Sequence, residues 1–340
     1  MEKLRAALIG AGGRGKSHAN ALASAPHVDF VAVCDMDETV GRETAEQYGA
    51  EYVPNTTELY ARDDIAGVGI CVQTPAHHKL AMEAISAGRH LLTEKPMAAS
   101  FAQAREMLDA VGESGLRAAL SYQLRFAPLF AKARELCAVI EPLQIIFARQ
   151  RGMLTPKYLS PAPFDGIMDF ISHDIDMIPF LAGRTPTAVS AVLRRDTWSD
   201  TGAIDVVSAQ IEFAGEGGPY FGYISSSMGG QGIPQRLDIV GRKGFVFAEG
   251  NTVHFTTEDN PPGPLDPRDR WALSFEGQVR DSTIDLYDHW AAAALDPQRS
   301  LAPAATYEDG YNALLITLAI VESGRSGEKI RLADFAESLT

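Results

Sequence analysis

Residues 4–9, Leu-Arg-Ala-Ala-Leu-Ile, run without interruption into Gly10-Ala-Gly12-Gly13-Arg14-Gly15, and a helical stretch follows from about Lys16 to Ala25. A near-continuous apolar run is the pattern of a parallel strand buried on both faces. A strand, then G-x-G-x-x-G, then a helix leaves few folds open. Gly10 permits the tight turn, Gly12 lets the backbone approach a pyrophosphate, and Gly15 lets helix and strand pack closely. The phosphates would rest on the amides of the helix N-terminus. Glycine clusters alone mostly make turns, so the context decides. Val28 to Cys34 is a second apolar strand, and it ends in Asp35. That carboxylate lies close to the spacing expected of one that binds ribose hydroxyls. It would repel a 2′-phosphate, which favours NAD over NADP. The plainer alternative is that Asp35 only opens the turn before a helix over Glu38 to Tyr48.

The alternation continues. Glu51 to Val53 is extended and Thr57 to Tyr60 is a short helix. Val68 to Val72 is a buried strand ending in Gln73-Thr74-Pro75, which would line the same crevice. A helix over 76–87 stops at Gly88. His90 to Thr93 then reads as a short strand, followed at once by Glu94-Lys95-Pro96. Open parallel sheets bind ligands beyond the carboxyl ends of their strands. A lysine there points into the crevice, and the proline fixes the backbone that aims it. A cis Lys95–Pro96 peptide would suit such a turn. Ser100 with Gln103 is a capping-box pattern. It opens a helix with an apolar stripe of Phe101, Ala104, Met107, Leu108 and Val111, and Ala118 to Ser121 looks like a sixth strand. The prediction for residues 1–122 is an α/β domain, a Rossmann doubly wound parallel sheet.

The pattern changes over residues 123–340. Pro128 to Ile140 reads as a helix and Leu143 to Gln150 as a strand. Residues 151–166, rich in proline and aromatic side chains and including Tyr158, form either a substrate wall or a well-packed connector. Asp169 to Leu181 reads as a helix, closed by Ala182-Gly183. Asp169 and His173 are i and i+4 on one face, and Asp176 continues that face. Asp174 should point elsewhere, into solvent or to a cap. Pro179 should kink the last turn. Taken alone, a His–Asp pair on a helix is more often a structural hydrogen bond than a catalytic dyad. Strands are expected at Val189–Leu193, Ile204–Phe213, Tyr220–Ser226, Arg236–Val240 and Gly244–Ala248, with a hairpin turn at 216–218 and a polar, proline-rich loop at 256–270. Helices over Ser282–Leu295 and Tyr307–Ser323 close the chain. This is an α+β domain with a large, mostly antiparallel, open-faced sheet, suited to a substrate site or to subunit pairing.

A length of 340 residues fits two domains. The formal charge of −14 argues against a nucleic-acid backbone as partner, which needs clustered Lys and Arg. Cys34, Cys71 and Cys137 are far apart and lack metal spacing, so they read as reduced core thiols in a reducing compartment. There is no secretory segment and nothing of membrane-span length, so a cytoplasmic location is expected. Adjacent His77 and His78 are poorly spaced for one metal site and read as helix-entry residues; no metal is expected.

The chain resembles the Gfo/Idh/MocA oxidoreductases, the group containing glucose–fructose oxidoreductase and inositol 2-dehydrogenase. The matching pieces are Gly10-Ala-Gly-Gly-Arg-Gly15 with His18, Val31-Ala-Val-Cys-Asp35, Thr74-Pro75, Ala87-Gly-Arg-His-Leu-Leu-Thr-Glu-Lys-Pro96, Arg125-Phe126, Asp169-Phe-Ile-Ser-His173-Asp-Ile-Asp176, Gly241-Arg-Lys-Gly244 and the tail around 307–332. The resemblance implies NAD-dependent hydride transfer involving a hydroxyl of a sugar, inositol or related polyol. It also implies a lysine–aspartate–histidine set, carried here by Lys95, Asp169 and His173. The cofactor side would comprise Gly10, Gly12, Gly13, Arg14, Gly15, Asp35, Thr74, Pro75, Glu94 and Lys95. The substrate side would comprise Lys95, Tyr122, Arg125, Tyr158, Asp169 and His173, with Arg125 equally readable as a structural ion-pair partner. Imidazoles titrate near neutrality, which suits His173 as base, with Asp169 orienting it and Lys95 holding the reacting hydroxyl; Lys95 itself is the alternative base. Two other functions stay open. One is an NAD-dependent glycoside hydrolase that oxidises transiently and eliminates. The other is a non-catalytic nicotinamide-sensing regulator, against which the joint presence of Lys95, Asp169 and His173 argues. A homodimer or homotetramer is expected from the family and the open sheet.

Overall fold

The structure is a computed structural model that describes residues 2–150, 167–197, 200–215, 220–228, 235–261, 271–275 and 281–339. Tyr158, the rest of the 151–166 segment and the turn expected at 216–218 lie outside the described residues. In chain order the first elements are β1 (Leu4–Ile9), α1 (Gly15–Ser24), β2 (Val28–Cys34), α2 (Glu38–Tyr48), β3 (Glu51–Val53), α3 (Thr56–Tyr60), β4 (Gly67–Ile70), α4 (Thr74–Ser86), β5 (His90–Thr93), α5 (Phe101–Ser114) and β6 (Ala118–Leu120). A 3-10 turn at Gln123–Phe126 leads to α6 (Pro128–Ile140), β7 (Pro142–Gln150), α7 (Ile167–Ala182), β8 (Pro186–Arg195), β9 (Ile204–Phe213), β10 (Tyr220–Ser227), β11 (Arg236–Gly241), β12 (Phe245–Glu249), β13 (Thr252–Thr256) and β14 (Trp271–Ser274). Last come α8 (Ser282–Leu295), β15 (Ala305–Thr306), α9 (Tyr307–Ser326), β16 (Ile330–Arg331) and α10 (Leu332–Ser338).

Two compact units result: Met1–Ala127 with Arg280–Leu314, and Pro128–Val279 with Leu315–Thr340. The first contains a sheet in the order β3-β2-β1-β4-β5-β6-β15. Its strands are parallel from β3 to β6, and β15 adds antiparallel to β6. The order reverses between β1 and β4, the switch point of a doubly wound sheet. Leu4, Ala6, Ala7, Leu8 and Ile9 are all buried, as their unbroken apolar run requires. Helix ends follow local chemistry. Asp37 accepts the Thr39 and Val40 amides and caps α2, and Ser100 accepts the Gln103 amide and caps α5. Helix α4 begins two residues before the expected start because Pro75 suits the first turn, where its missing N–H is not needed.

Helix α8, far along the chain, completes this unit. Its Leu286, Tyr287, Trp290 and Ala291 join the core formed with α1, α2 and the sheet. Two glycines of β4 make room for it. A Cβ on Gly67 would lie 2.8 Å from the Trp290 ring, and one on Gly69 would lie 2.3 Å from the Tyr287 hydroxyl oxygen. Glycine inside a strand often marks such a close approach.

The second unit contains a sheet in the order β14-β13-β12-β11-β7-β10-β9-β8-β16. Strands β7 and β10 pair in parallel and the other neighbours pair antiparallel. Helix α7 packs on β7, β9 and β10, and α6 on β11, β12 and β13. Along β9 the buried Val207, Ala209, Ile211 and Phe213 alternate with the more exposed Ser208, Gln210 and Glu212, so one face is covered and the other is not. Strands β13 to β16 were not expected: each is short, and its pairing partner is distant or lies across a loop. Among the described residues no helix is long and apolar enough to cross a membrane.

Candidate active site

In the first unit the carboxyl ends of β1, β2, β4 and β5 converge. Gly10 continues β1 with φ +91°, and its amide donates to the Cys34 carbonyl at 2.8 Å. A Cβ there would lie 2.2 Å from the Cys71 carbonyl oxygen beyond β4, so only glycine lets the loop lie against that strand. Gly15 is equally constrained, since its Cβ would meet the Gly10 carbonyl oxygen at 2.3 Å. Gly12 and Gly13 differ: a Cβ on either would meet nothing within 4 Å. The outer rim of the loop is therefore open backbone at the start of α1, which has no side-chain cap. These are the features that a pyrophosphate cradle needs.

Asp35, half-buried at the end of β2, accepts the Ala11 amide at 2.6 Å and the Asp37 amide at 2.8 Å. It ties the glycine loop to the start of α2. A carboxylate so placed fits ribose hydroxyls beside the cradle. Thr74 and Pro75 open α4 next to the end of β4. The residues present thus fit a dinucleotide.

The turn after β5 is more heavily bonded than its sequence suggests. Glu94 is buried, and its amide donates to the Ile70 carbonyl at 2.9 Å. Its Oε1 meets His18 Nε2 at 2.8 Å, accepts the Ser121 hydroxyl at 3.2 Å and lies 3.4 Å from Arg14 Nε. Its Oε2 accepts the Lys95 amide at 2.9 Å. Burial opposes ionisation of this carboxyl. The hydrogen bond from His18 and the positive charges of Lys95 and Arg14 outweigh it and hold Glu94 well below the usual carboxylate range. The Lys95–Pro96 peptide is cis, as expected. His77, 1% exposed, places Nδ1 2.8 Å from the Pro96 carbonyl and Nε2 3.1 Å from the Val72 carbonyl. Carbonyl oxygens only accept, so the neutral ring donates to one of the two and packs against the other; it anchors the turn and is not merely a helix-entry residue. Burial pushes its pKa down. His78 instead meets Glu106 at 2.7 Å.

Neither His18, His77 nor Tyr287 was singled out as a site residue. The pattern Gly67-x-Gly69 signals that something bulky abuts β4, but it does not say what. The ligand atoms of His18, Cys71 and Glu94 lie within 4.8 Å of one another. Both His18 ring nitrogens already have partners there, Glu94 and the Tyr287 hydroxyl, so hydrogen bonding accounts for the cluster. Cys34, Cys71 and Cys137 are free and buried. Burial, helped by Asp35, pushes the Cys34 thiol up to about 11. Tyr122 is buried, and the buried Arg125 pairs with Asp309 at 3.2 Å.

In the second unit Asp169 and His173 lie on α7, both half-buried, one turn apart and on one face. Asp174 corrects an expectation. It is fully buried, not solvated, and lies 3.4 Å from Arg149 Nη1. Arg149 also donates to the Gln235 amide oxygen at 2.7 Å. A charge this deep needs a charged partner. The partner sits at the end of β7, and sequence distance hides it. Pro179 does lie inside α7.

The family described as "Oxidoreductase family, NAD-binding Rossmann fold" matches residues 4–122, and the GFO/IDH/MocA C-terminal domain matches residues 143–247. The inositol 2-dehydrogenase of Rhizobium meliloti (strain 1021) is 28% identical over 339 residues, covering 97% of this chain and 99% of that protein. The myo-inositol 2-dehydrogenase of Thermotoga maritima is 25% identical over 97% of this chain and 99% of that protein. The crystal structure of GenD2 from gentamicin A biosynthesis, in complex with NAD, superposes with a TM-score of 0.78 at 27% identity, covering 97% of each chain. An oxidoreductase from Agrobacterium radiobacter, at 19% identity and a TM-score of 0.84 over 98% of this chain and 99% of that one, shares the fold. With the glycine loop, Asp35 and the Glu-Lys-Pro turn at one sheet edge and both domains matched, the chain belongs to the Gfo/Idh/MocA oxidoreductase family and carries its NAD-binding Rossmann fold.

Proposed function

We propose that this protein is an NAD-dependent dehydrogenase that oxidises a CH–OH group of a sugar, inositol or related polyol. The observation that carries the reading is the placement of Lys95. It lies two residues beyond β5, at the same sheet edge as the open glycine loop and Asp35. A reacting hydroxyl held there would adjoin the cofactor cradle. The names of the relatives, inositol 2-dehydrogenases among them, supply the substrate class.

In this reading the first unit serves the cofactor and the second the substrate. NAD, when bound, supplies the two-electron oxidant. Lys95 donates to the substrate oxygen and stabilises its developing charge. His173 takes the hydroxyl proton, and Asp169, one turn earlier on α7, orients the imidazole. Asp35 receives the ribose hydroxyls and excludes a 2′-phosphate. The test is a panel of inositols, sugars and open-chain polyols assayed with NAD and with NADP. NADH formation with at least one cyclic polyol is expected. No turnover across the panel would refute the dehydrogenase. Release of an aglycone from glycosides without net NADH would favour the hydrolase. An NADP preference above about tenfold, roughly 1.4 kcal/mol, would refute the role given to Asp35.

A further inference from the structure

The Glu94 carboxylate sits at the end of a buried chain that crosses three elements. The Tyr287 hydroxyl on α8 lies 2.8 Å from His18 Nδ1 on α1, and His18 Nε2 lies 2.8 Å from Glu94 Oε1. His18 and Tyr287 are both fully buried, with their rings edge to face. An ionised carboxylate can only accept. His18 Nε2 therefore carries a proton; in the neutral ring Nδ1 is then the acceptor, and the Tyr287 hydroxyl donates to it. The chain runs one way, Tyr287 to His18 to Glu94, and ends on the group that receives the Lys95 amide. The groups facing Glu94 are His18 from α1, Arg14 from the glycine loop, Ser121 after β6, Lys95 from the turn itself, and Cys71 and Tyr287 at longer range.

We propose that His18 and Tyr287 are positioning residues for the Glu94-Lys95-Pro96 turn: their directed hydrogen bonds keep the buried Glu94 charged, and the charged Glu94 holds the peptide that carries Lys95. The catalytic consequence rests on the dehydrogenase reading above; the hydrogen-bond chain does not. Neither residue touches the reacting atoms. Without the His18 donor, burial dominates at Glu94, which then takes up a proton at a higher pH. A neutral carboxyl holds the Lys95 amide and Arg14 less strongly, and Lys95 drifts from its aim.

The test compares the wild type with His18→Gln, His18→Leu and Tyr287→Phe. Gln places an amide where Nε2 stood and can still donate to Glu94; Leu cannot. Turnover on the best polyol of the panel is expected to fall about 100-fold in His18→Leu, the scale of a 1 Å misplacement. The acid limb of its pH profile should move to higher pH. His18→Gln should restore both measures. If His18→Leu does not fold, Tyr287→Phe and His18→Gln carry the comparison: Tyr287→Phe should move the acid limb in the same direction by less. The second readout is the ¹⁵N imidazole spectrum of the NAD-bound protein, with the His18 signals assigned by their loss in His18→Gln. The neutral Nε2–H form is expected, with the Nδ1 resonance shifted in Tyr287→Phe. An Nδ1–H tautomer, or a wild-type pH profile in both His18→Leu and Tyr287→Phe, overturns the proposal. If the wild type oxidises no polyol, the dehydrogenase reading fails, and the imidazole spectrum still decides the chain.

Discussion

Gly69→Ala isolates the packing of β4 against α8. The added methyl carbon would lie 2.3 Å from the Tyr287 hydroxyl oxygen, whereas ordinary van der Waals contact begins near 3.4 Å. The ring must therefore retreat by the difference, 3.4 − 2.3 = 1.1 Å. Its hydroxyl is held 2.8 Å from His18 Nδ1, and a shift of that size is enough to break the bond. Both residues are fully buried, so neither regains water as a partner. Overpacking costs about 1–3 kcal/mol, and a lost buried hydrogen bond adds roughly 1 kcal/mol. The expected destabilisation is about 2–4 kcal/mol, which for a unit of this size lowers the melting temperature by roughly 5–15 °C. Denaturant and thermal unfolding followed by Trp290 fluorescence would measure it. The double variant Gly69→Ala/Tyr287→Phe supplies the control. With the hydroxyl gone, the nearest ring atom is 3.2 Å away, a small overlap. The double variant should therefore be more stable than Gly69→Ala alone, a strong departure from additivity. A Gly69→Ala protein within about 0.5 kcal/mol of wild type, or additive effects, would refute this account of β4.

Three further outcomes are expected. His173→Ala should lower turnover by about 10²–10⁴-fold with NADH affinity nearly unchanged; full activity at neutral pH would remove His173 as the base. Asp174→Leu removes a buried carboxylate beside Arg149 and should cost about 3–5 kcal/mol in urea unfolding, most of it recovered in Arg149→Met/Asp174→Leu; a neutral single variant would show the pair to be dispensable. The buried His77 is neutral in the folded protein, because burial depresses its pKa below 6.5, while the unfolded chain takes up a proton near that value. Its contribution to stability is therefore intact above about pH 6.5 and lost as pH falls below it, by up to about 1.4 kcal/mol per pH unit. Stability curves of wild type and His77→Asn that stay parallel from pH 7.5 to 5 would contradict this.

The first sheet was legible because its inner parallel strands are largely buried runs, and buried runs are written locally. β1, β2 and β5 fall where the apolar pattern puts them, β3 is the short extended piece expected after α2, and the caps at Asp37 and Ser100 are spelled by their own residues. The cofactor edge was legible for a related reason. The turn at Gly10 and the acid at Asp35 must each directly follow a strand, so sequence adjacency carries the geometry. The edge strands β15 and β16, two residues each, were not legible, because their pairing comes from partners far away in the chain.

What the sequence determined by itself was the doubly wound sheet, the dinucleotide edge, the helix that carries Asp169 and His173, and the turn that carries Lys95. Each depends on residues within a few positions of one another. Tertiary structure alone decided what stands behind Lys95. Tyr287 lies 269 positions from His18, and His18 lies 76 positions from Glu94. It also decided that Asp174 is buried on Arg149 and that α8 returns to fill the space left by Gly67 and Gly69. A buried polar group must find a partner, but the chain does not say locally which one. That choice is made when distant elements close over it and water is excluded.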